Sequence, residues 1–333
     1  MRTALAIRPR LAAAPLRIRT AKSQFVQSRR ISDDNSILFK GNGKKKNAIG
    51  DGSSSSAFES LVSPRTLWLE NKKAIVTGGS RGIGEAIAER LAQEGVRCTI
   101  IGRDEMALKN VVKNLDYWRE QGKYAMPPPK NTVSPSTESN SSSSVHSYVV
   151  GDVQDEEMWP KLFANKDVSI LVNAAGVTHN ALMSRSSPED IRRVLDTNTY
   201  GTILGCREAM IGWLGNRGSD RVILNISSLL AFRGGMGAAP YAASKASIIG
   251  LTRALVDEGK SRGIRANVIV PGYIETEMTE SVSEPHRSIL KGRIPAGRFG
   301  RPSEVADAAL FLVNNRYANN CVLNLDGGLS AMS

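Results

Sequence analysis

The chain is poor in the residues that form disulfides and metal sites. Among its 333 residues are three cysteines and three histidines. Cys98, Cys206 and Cys321 lie far apart in the sequence, none belongs to a C-x-x-C pair, and the histidines are equally scattered. Disulfide frameworks and metal sites require paired cysteines or a close set of His, Cys and carboxylate ligands. The sequence therefore predicts neither a disulfide framework nor a metal site.

Long hydrophobic runs are also absent. A membrane-spanning helix requires roughly 18 or more predominantly apolar residues in succession. No stretch of the chain approaches that length, so the sequence predicts no membrane span.

Acidic residues are missing from the first 32 positions, which hold seven arginines and one lysine. Alanine and leucine separate these charges, a composition typical of a mitochondrial presequence. Arg8 and Arg10 interrupt the apolar region that a secretory signal would need. We therefore expect residues 1–32 to be a presequence and the protein to reside in the mitochondrial matrix. A disordered basic arm is the alternative.

The positive charge is concentrated at this end of the chain. Residues 1–65 contain 13 Lys and Arg against four Asp and Glu, so most of the net charge of +12 lies there. A nucleic-acid-binding surface would need cations clustered on the folded domain. The distribution of charge therefore favours a targeting signal over a nucleic-acid partner.

The remaining sequence predicts a linker followed by one domain. Residues 33–65 mix Gly, Ser and Lys without periodic apolar spacing, which predicts a disordered linker. Over residues 66–333, β-branched apolar runs alternate with amphipathic helical patterns. Such alternation predicts an α/β domain in which helices cover both faces of a parallel sheet. Eight of the 17 residues Asn131–Ser147 are serine, so we expect a disordered surface insertion at about residues 124–147.

A glycine cluster follows the first predicted strand. In "AIVTGGSRGIGEAIA", Gly78, Gly82 and Gly84 stand between β-branched residues and an amphipathic helix. Glycines there let backbone N–H groups approach a pyrophosphate at the positive end of the helix. A simple turn is the alternative, but the position between strand and helix favours nucleotide binding.

Two arginines indicate which dinucleotide binds. Roughly 20 residues after the glycines, a carboxylate would hold a free ribose 2′-hydroxyl, but the chain has Gly102 and Arg103 there. Arg81 lies within the glycine loop. Guanidinium groups match a phosphate with two parallel hydrogen bonds, so we expect NADP rather than NAD. Asp104 follows Arg103, and we interpret it as the N-cap of the next helix.

A tyrosine and a lysine stand four residues apart in "APYAASKAS". On a helix, Tyr241 and Lys245 would emerge from one face about one turn apart. Such pairs are common in ordinary helices, so the meaning of this pair depends on the motifs that accompany it.

Five motifs, in this order along the chain, resemble those of the short-chain dehydrogenase/reductase family: "TGGSRGIG", "NAAG", "NISS", "YAASK" and "PGYIETEM". The stretch "RIPAGRFGRPSEVADAALFL" and the ending "NLDGG" resemble in particular the 3-oxoacyl-[acyl-carrier-protein] reductases of type II fatty-acid synthesis. The resemblance covers about residues 70–330. It implies a single Rossmann-type doubly wound parallel sheet of about seven strands in the order 3-2-1-4-5-6-7.

The resemblance also implies a catalytic tetrad. Its members fall on Asn198, Ser228, Tyr241 and Lys245, and every position holds the expected residue type. Ser228 is selected over Ser227 because it stands 13 residues before the tyrosine. By resemblance, Asn198 bends or hydrates its helix and holds a water that links Lys245 to solvent.

Reduction of a ketone gives these groups defined tasks. The nicotinamide supplies a hydride, and the protein must supply a proton. Tyr241 would donate that proton, and the cationic Lys245 would lower the tyrosine pKa from its ordinary value near 10. The Ser228 hydroxyl would donate a hydrogen bond to the substrate oxygen as negative charge develops there.

The cofactor contacts of the family fall on further residues of the same motifs. The family's "NNAG" is "NAAG" in this chain, a small departure that follows Asn173. Asp152 would contact the adenine, although "GDV" could equally form a turn. Ile274 and Thr276 would meet the nicotinamide, and the stretch that follows, to about Lys291, would cover the substrate. By resemblance, the NADP(H) site comprises Gly78, Ser80, Arg81, Gly82, Ile83, Gly84, Arg103, Asp152, Val153, Asn173, Ala174, Gly176, Tyr241, Lys245, Pro271, Gly272, Ile274 and Thr276.

The activity expected from the resemblance is NADPH-dependent reduction of 3-oxoacyl thioesters, linked to an acyl carrier protein, in mitochondrial fatty-acid synthesis. Because such a carrier is acidic, Arg217 and Arg262 are candidate contacts with it. Apolar stripes on the helices predicted at about 188–215 and 241–262 suggest a homotetramer, which is usual in the family. One alternative is a dehydrogenase of the same fold that acts on a small carbonyl, quinone, steroid or polyol. Another is a non-catalytic subunit of a heteromeric reductase.

Overall fold

The computed structural model describes residues 69–121, 144–164, 167–214, 220–280 and 282–332. These residues belong to one structural unit, Ala57–Ser333. The predicted presequence (1–32), the predicted linker (33–65) and all but the last residues of the predicted insertion lie outside the described residues. They therefore stay predictions.

Parallel strands form a seven-stranded sheet in the described part of the chain. They are β1 (Lys73–Thr77), β2 (Arg97–Gly102), β3 (Ser147–Val150), β4 (Val168–Asn173), β5 (Arg221–Ile226), β6 (Ile264–Pro271) and β7 (Val322–Leu325). Their order is β3-β2-β1-β4-β5-β6-β7, and each neighbouring pair is parallel. This arrangement confirms the predicted fold class and strand order.

Alternation of side chains along the strands builds a hydrophobic core on each face of the sheet. In β1, Ala74 and Val76 face one core, whereas Ile75 faces the other. The central strands β4, β5 and β6 are buried along their whole length. Strands covered on both faces need near-continuous apolar sequence, which explains why these segments are rich in Val and Ile.

Helices cover both faces. They are α1 (Gly82–Gln93), α2 (Glu105–Gln121), α3 (Met158–Phe163), α4 (Pro188–Leu195), α5 (Gly201–Gly212), α6 (Leu230–Arg233), α7 (Ala239–Gly259), α8 (Glu277–Glu280), α9 (Glu284–Arg293) and α10 (Pro302–Asn314). One core packs α1, α2 and α10 against the sheet, and the other packs α3, α5 and α7. None of the helices in the described ranges combines the length and the apolar character that a membrane span requires.

The helix predicted at about 188–215 is divided in the structure. It begins where Ser187 accepts a hydrogen bond from the backbone N–H of Asp190 at 3.0 Å, with Pro188 in the first turn. A π-helical turn, Asp196–Tyr200, separates α4 from α5 and contains Asn198. Such turns insert an extra residue and are frequent at functional sites. The regular α-helix is therefore interrupted at Asn198, and the predicted bending or hydration of the helix stays a prediction.

The loops after several strands meet at one edge of the sheet. The backbone N–H groups of Ala174 and Ala175, after β4, donate to Thr77 Oγ1 at the end of β1. The N–H of Leu229, after β5, donates to the carbonyl oxygen of Pro271 at the end of β6. Doubly wound sheets bind ligands at this carboxyl edge, where the strand order reverses between β1 and β4.

Candidate active site

The glycine loop packs tightly against the segment after β4. Gly78 and Gly82 have φ angles of +64° and +62°, which side-chain-bearing residues rarely adopt. A Cβ on Gly78 would lie 2.8 Å from the Cα of Ala175, and a Cβ on Gly84 would collide with the carbonyl oxygen of Gly78. The loop therefore needs glycine at these positions. It leads into the N-terminus of α1, where free N–H groups can bind a phosphate.

Thr77 fixes the position of this loop relative to "NAAG". Its buried side-chain oxygen accepts hydrogen bonds from the N–H groups of Ala174 and Ala175, both at 3.1 Å. Thr77 was not among the predicted site residues. A polar residue that ends a buried strand was the available signal, because a buried hydroxyl must find a partner.

Arg81 and Arg103 are exposed at the ends of the glycine loop and of β2, and each faces a carboxylate. Arg81 Nη1 lies 2.5 Å from Glu277 Oε2, and Arg103 Nη1 lies 3.9 Å from Asp152 Oδ2. Exposed ion pairs of this kind are weak, so both guanidinium groups can turn to a phosphate.

Two carboxylates beside this region have backbone partners. Asp104 Oδ1 accepts from the N–H of Ala107 at 3.0 Å, which confirms that Asp104 is the N-cap of α2. Asp152 Oδ1 accepts from the N–H of Gln154 at 3.1 Å, so "GDV" forms a turn. The adenine contact of Asp152 stays a prediction.

The side chain of Asn173 faces the protein interior. It is 3% exposed, and its Nδ2 donates to Asn225 Oδ1 at 2.9 Å. Asn225 Nδ2 in turn donates to Thr252 Oγ1 on α7 at 2.9 Å. This network ties β4 and β5 to the helix that carries Tyr241. Only the backbone of Asn173 is left for the predicted cofactor contact.

The other predicted cofactor residues differ in the solvent exposure of their side chains. Val153 and Ile274 are buried, and the side chain of Ile274 joins the first core. A Cβ on Gly82 would lie 3.3 Å from the methyl carbon of Thr276, so the segment after β6 adjoins the glycine loop. A Cβ on Gly272 would lie 2.8 Å from the Cα of Asp326, which keeps the end of β6 against the turn after β7. Ser80 and Ile83 are half-buried in and after the loop, and Pro271 ends β6.

The structure brings Ser228 to Tyr241. The Ser228 hydroxyl forms a hydrogen bond with the phenol and accepts one from the N–H of Leu230 at 3.2 Å. Ser227 instead is buried and donates to the carbonyl oxygen of Lys245 at 2.7 Å. The two adjacent serines therefore have different roles, and Ser228 occupies the position expected of the catalytic serine.

Lys245 and Asn198 meet beside Gly176. A Cβ on Gly176 would lie 3.3 Å from both Lys245 Nζ and Asn198 Oδ1, so glycine leaves room for the two side chains. Lys245 Nζ donates to the carbonyl oxygen of Ile226 at 3.0 Å. Asn198 Oδ1 accepts from the N–H of Val177 at 2.8 Å, which fixes the amide. All four predicted tetrad residues thus lie around the start of α7.

Ser244 holds Asn198 from the other side. Its buried hydroxyl accepts from Asn198 Nδ2 at 3.0 Å and donates to the carbonyl oxygen of Tyr241 at 2.7 Å. One side chain therefore connects the π-helical turn to the backbone of the tyrosine. Ser244 was not among the predicted site residues, because its partner comes from a distant segment.

Burial sets the pKa values of the two central groups. It lowers the pKa of Lys245 to about 8. It also raises the pKa of Tyr241, while the hydrogen bond from Ser228 lowers it. Burial therefore outweighs the other effects, and the pKa of Tyr241 is raised, whereas the sequence predicted that Lys245 would lower it. Lys245 Nζ lies 5.9 Å from the centroid of the Tyr241 ring, and both groups are withdrawn from water.

Arg262 lies far from this site. It follows α7, whose 21 residues span about 30 Å, and it precedes β6 at the opposite edge of the sheet from Tyr241. A carrier-protein contact by Arg262 at the chain's own catalytic cleft therefore has no support. Arg217 lies outside the described residues. In the described ranges, no group of three or more His, Cys, Asp or Glu side chains could hold a metal ion.

The sequence matches two family models. Residues 72–127 match the model described as short chain dehydrogenase, and residues 123–330 match the model described as enoyl-(acyl carrier protein) reductase. Carbonyl reductase family member 4 of Danio rerio is 38% identical over 267 residues, which cover 79% of this chain and 99% of the relative. The 3-oxoacyl-[acyl-carrier-protein] reductase of Rattus norvegicus is 37% identical over 261 residues, which cover 78% of this chain and 98% of the relative.

A solved structure shares the fold and holds a dinucleotide. It is a candidate NAD(P)-dependent gluconate 5-dehydrogenase from Beutenbergia cavernae with bound NADP at low occupancy. The match has a TM-score of 0.69 and 30% identity and covers 81% of this chain and 100% of the other.

Proposed function

Because the chain belongs to the short-chain dehydrogenase/reductase family, we propose that it reduces 3-oxoacyl thioesters of an acyl carrier protein to 3-hydroxyacyl thioesters with NADPH. The observation that carries the proposal is the convergence of four side chains beside the glycine loop. Ser228 contacts the Tyr241 phenol, while Lys245 and Asn198 meet at Gly176. A non-catalytic subunit would not need this complete set.

The cofactor fits the residues at the carboxyl edge. The glycine loop and the N-terminus of α1 would hold the pyrophosphate, and Arg81 with Arg103 would hold a 2′-phosphate. The NADP-bound structure described above supports this cofactor. When bound, NADPH supplies the hydride that the substrate carbon accepts.

The side chains of the chain supply the remaining chemistry. The Ser228 hydroxyl donates a hydrogen bond to the substrate oxygen as charge develops on it. Tyr241 gives its proton to that oxygen, and the Lys245 ammonium group stabilises the phenolate that remains. The amide of Asn198, fixed by Val177 and Ser244, would position a water that returns a proton to this pair.

A reductase of simple carbonyl compounds is the second candidate. The name of the Danio rerio relative, a carbonyl reductase, favours it. The name of the Rattus norvegicus relative favours the thioester. The two candidates share the tetrad and the cofactor, so only the substrate distinguishes them.

The cellular setting of the proposal rests on the sequence alone. The arginine-rich, acid-free first 32 residues support import into the mitochondrial matrix, where the reductase would serve fatty-acid synthesis. Exposed Tyr200, Ile203 and Ile211 at the π-helical turn and α5 support assembly into a homotetramer.

A rate comparison with the full chain tests the substrate. NADPH oxidation is followed with an acetoacetyl thioester and, separately, with simple ketones, quinones and ketosteroids. We expect kcat/KM to be at least tenfold higher for the thioester. Equal or faster turnover of the other carbonyl compounds would overturn the proposed substrate and favour the second candidate.

A further inference from the structure

The exposed methionines of the described residues all lie at the catalytic edge of the sheet. Seven methionines are described, of which Met158 and Met210 are buried. The other five are between 44% and 92% exposed. They follow the carboxyl ends of five different strands and are Met106, Met183, Met236, Met278 and Met332. Apolar side chains concentrated in this way commonly mark a binding surface.

Other large apolar side chains are exposed on the segments that follow these strands. Leu182, Phe232 and Ile289 are also exposed, and they lie on the segments after β4, β5 and β6. We define the apolar rim as Leu182, Met183, Phe232, Met236, Met278 and Ile289.

Direct contacts join the segments that carry the rim. The N–H of Ala181 donates to the carbonyl oxygen of Gly237 at 3.0 Å, which links the segments after β4 and β5. Leu229 and Leu290 belong to one buried cluster, which links the segment after β5 to α9. The rim is therefore carried by segments that pack on one another.

The segment after β5 connects two of the predicted catalytic residues. It begins with Ser228 and runs to Tyr241, which are hydrogen-bonded to each other. Between them, Gly234 and Gly237 have φ angles of +64° and +79°, and these turns present Met236 with 92% of its surface exposed. An apolar group that extends outward from a carbonyl held by Ser228 and Tyr241 would meet this surface.

We propose that the apolar rim binds the acyl chain of the substrate and makes the enzyme favour long chains while accepting chains of different length. The inference rests on the proposed thioester reductase function. Methionine side chains are unbranched and polarisable, so they adapt to ligands of different shape. Each methylene fully withdrawn from water strengthens binding by up to about fourfold. A short acetoacetyl group would not reach most of the rim.

The test uses the full chain and 3-oxoacyl thioesters of N-acetylcysteamine with four, eight and twelve acyl carbons. These substrates lack a carrier protein, so they report on the acyl chain alone. We expect wild-type kcat/KM to rise at least tenfold from four to twelve carbons. In the double variant Met183→Gln/Met236→Gln, we expect this ratio to fall to about threefold or less. Met106→Gln is the matched control, because it makes the same exchange at the same edge outside the rim.

The outcomes separate this inference from the function on which it rests. No turnover of any thioester by the wild type would contradict the proposed function itself. Turnover with a chain-length ratio that the double variant leaves intact would overturn the rim alone. A double variant that keeps the ratio but loses mass in sedimentation would show that a second copy covers the rim, and this too would overturn the inference.

Discussion

The ammonium group of Lys245 is buried, so water does not stabilise its positive charge. The residue is 5% exposed, and burial lowers its pKa from 10.5 to about 8. The folded state therefore disfavours the ammonium form that the proposed chemistry needs. Active sites commonly hold such groups at a cost in stability.

Lys245→Met is expected to abolish reduction and to stabilise the cofactor-free protein. The pKa difference corresponds to about 3 kcal/mol at neutral pH, an upper bound on the gain. Between pH 8 and pH 10.5 the unfolded lysine binds more protons than the folded one, so wild-type stability rises over that range. The advantage of the variant should be full below pH 8 and should vanish near pH 10.5. Urea unfolding at several pH values measures it.

Lys113→Met provides the control, since Lys113 is exposed on α2. Its unfolding midpoint should stay near that of the wild type at every pH. A Lys245→Met variant less stable than the wild type at pH 7 would contradict this account of the buried charge.

Ser244 supports the side chain of Asn198 in the candidate active site. Ser244→Ala removes one of the two acceptors of Asn198 Nδ2, a hydrogen bond worth about 1 kcal/mol, and leaves the carbonyl oxygen of Val177 as the other. We expect kcat to fall about fivefold while the Kd for NADPH stays unchanged, because the side chain touches Asn198 and not the glycine loop. Ser247→Ala is the matched control, since it removes a hydroxyl of the same helix that bonds to the Ser244 carbonyl oxygen and to Thr199 Oγ1. Equal losses in both variants would exclude a specific role for Ser244.

Sequence motifs predicted the reacting residues better than their supports. Spacing within the family pattern selected Ser228 over Ser227, and the structure places Ser228 at the phenol. Thr77, Asn225 and Ser244 were not predicted as supports, because the partner of a buried polar group is set by packing between distant segments. The raised pKa of Tyr241 was missed for the same reason, since burial is a property of the folded chain.

Among the secondary-structure elements, α10 has its C-terminal carbonyl groups bound by a buried arginine of β6. Arg265 on β6 donates to the carbonyl oxygens of Leu312 and Val313 at 2.9 and 2.7 Å. It also donates to Asp220 Oδ1 at 2.9 Å. Carbonyl groups at a helix end lack partners within the helix, so one side chain satisfies several of them.

Arg265→Met should destabilise the protein by about 3 kcal/mol. The substitution leaves buried carbonyl oxygens without a donor and breaks a buried ion pair. Arg298→Met is the comparison, because Arg298 pairs with Glu304 at the surface, where the loss should stay below about 1 kcal/mol. Chemical unfolding of both variants measures the difference, and equal losses would contradict the role assigned to Arg265.

Apolar periodicity predicted the helices well but not their interruptions. The helix predicted at about 241–262 matches α7 (Ala239–Gly259) to within three residues at each end. The π-helical turn at Asp196–Tyr200 follows no periodic signal in the sequence. Only the family resemblance pointed to Asn198, because its hydrogen-bond partners Val177 and Ser244 come from other segments of the chain.

At the scale of the whole molecule, alternating patterns sufficed to predict a parallel sheet, and the resemblance added its strand order. The fold of one chain does not determine its oligomeric state, because it shows only which apolar side chains are left exposed. Ile203 and Ile211 on α5 are two of these.

We expect the double variant Ile203→Glu/Ile211→Glu to have a smaller mass than the wild type in sedimentation equilibrium. Charged side chains placed in an apolar interface cannot be desolvated without a large cost. Met106→Glu, on an exposed position of α2, should keep the wild-type mass. A mass unchanged in the double variant would exclude this face of α5 from the interface.

The central claim is that Tyr241 supplies the proton when NADPH reduces a 3-oxoacyl thioester. Its most direct test is single-turnover oxidation of NADPH by the full chain with an acetoacetyl thioester, in the wild type and in Tyr241→Phe. NADPH binding is measured beside it by cofactor fluorescence. The account predicts equal NADPH binding and a rate at least about 100-fold lower in the variant. An undiminished rate in Tyr241→Phe would contradict it.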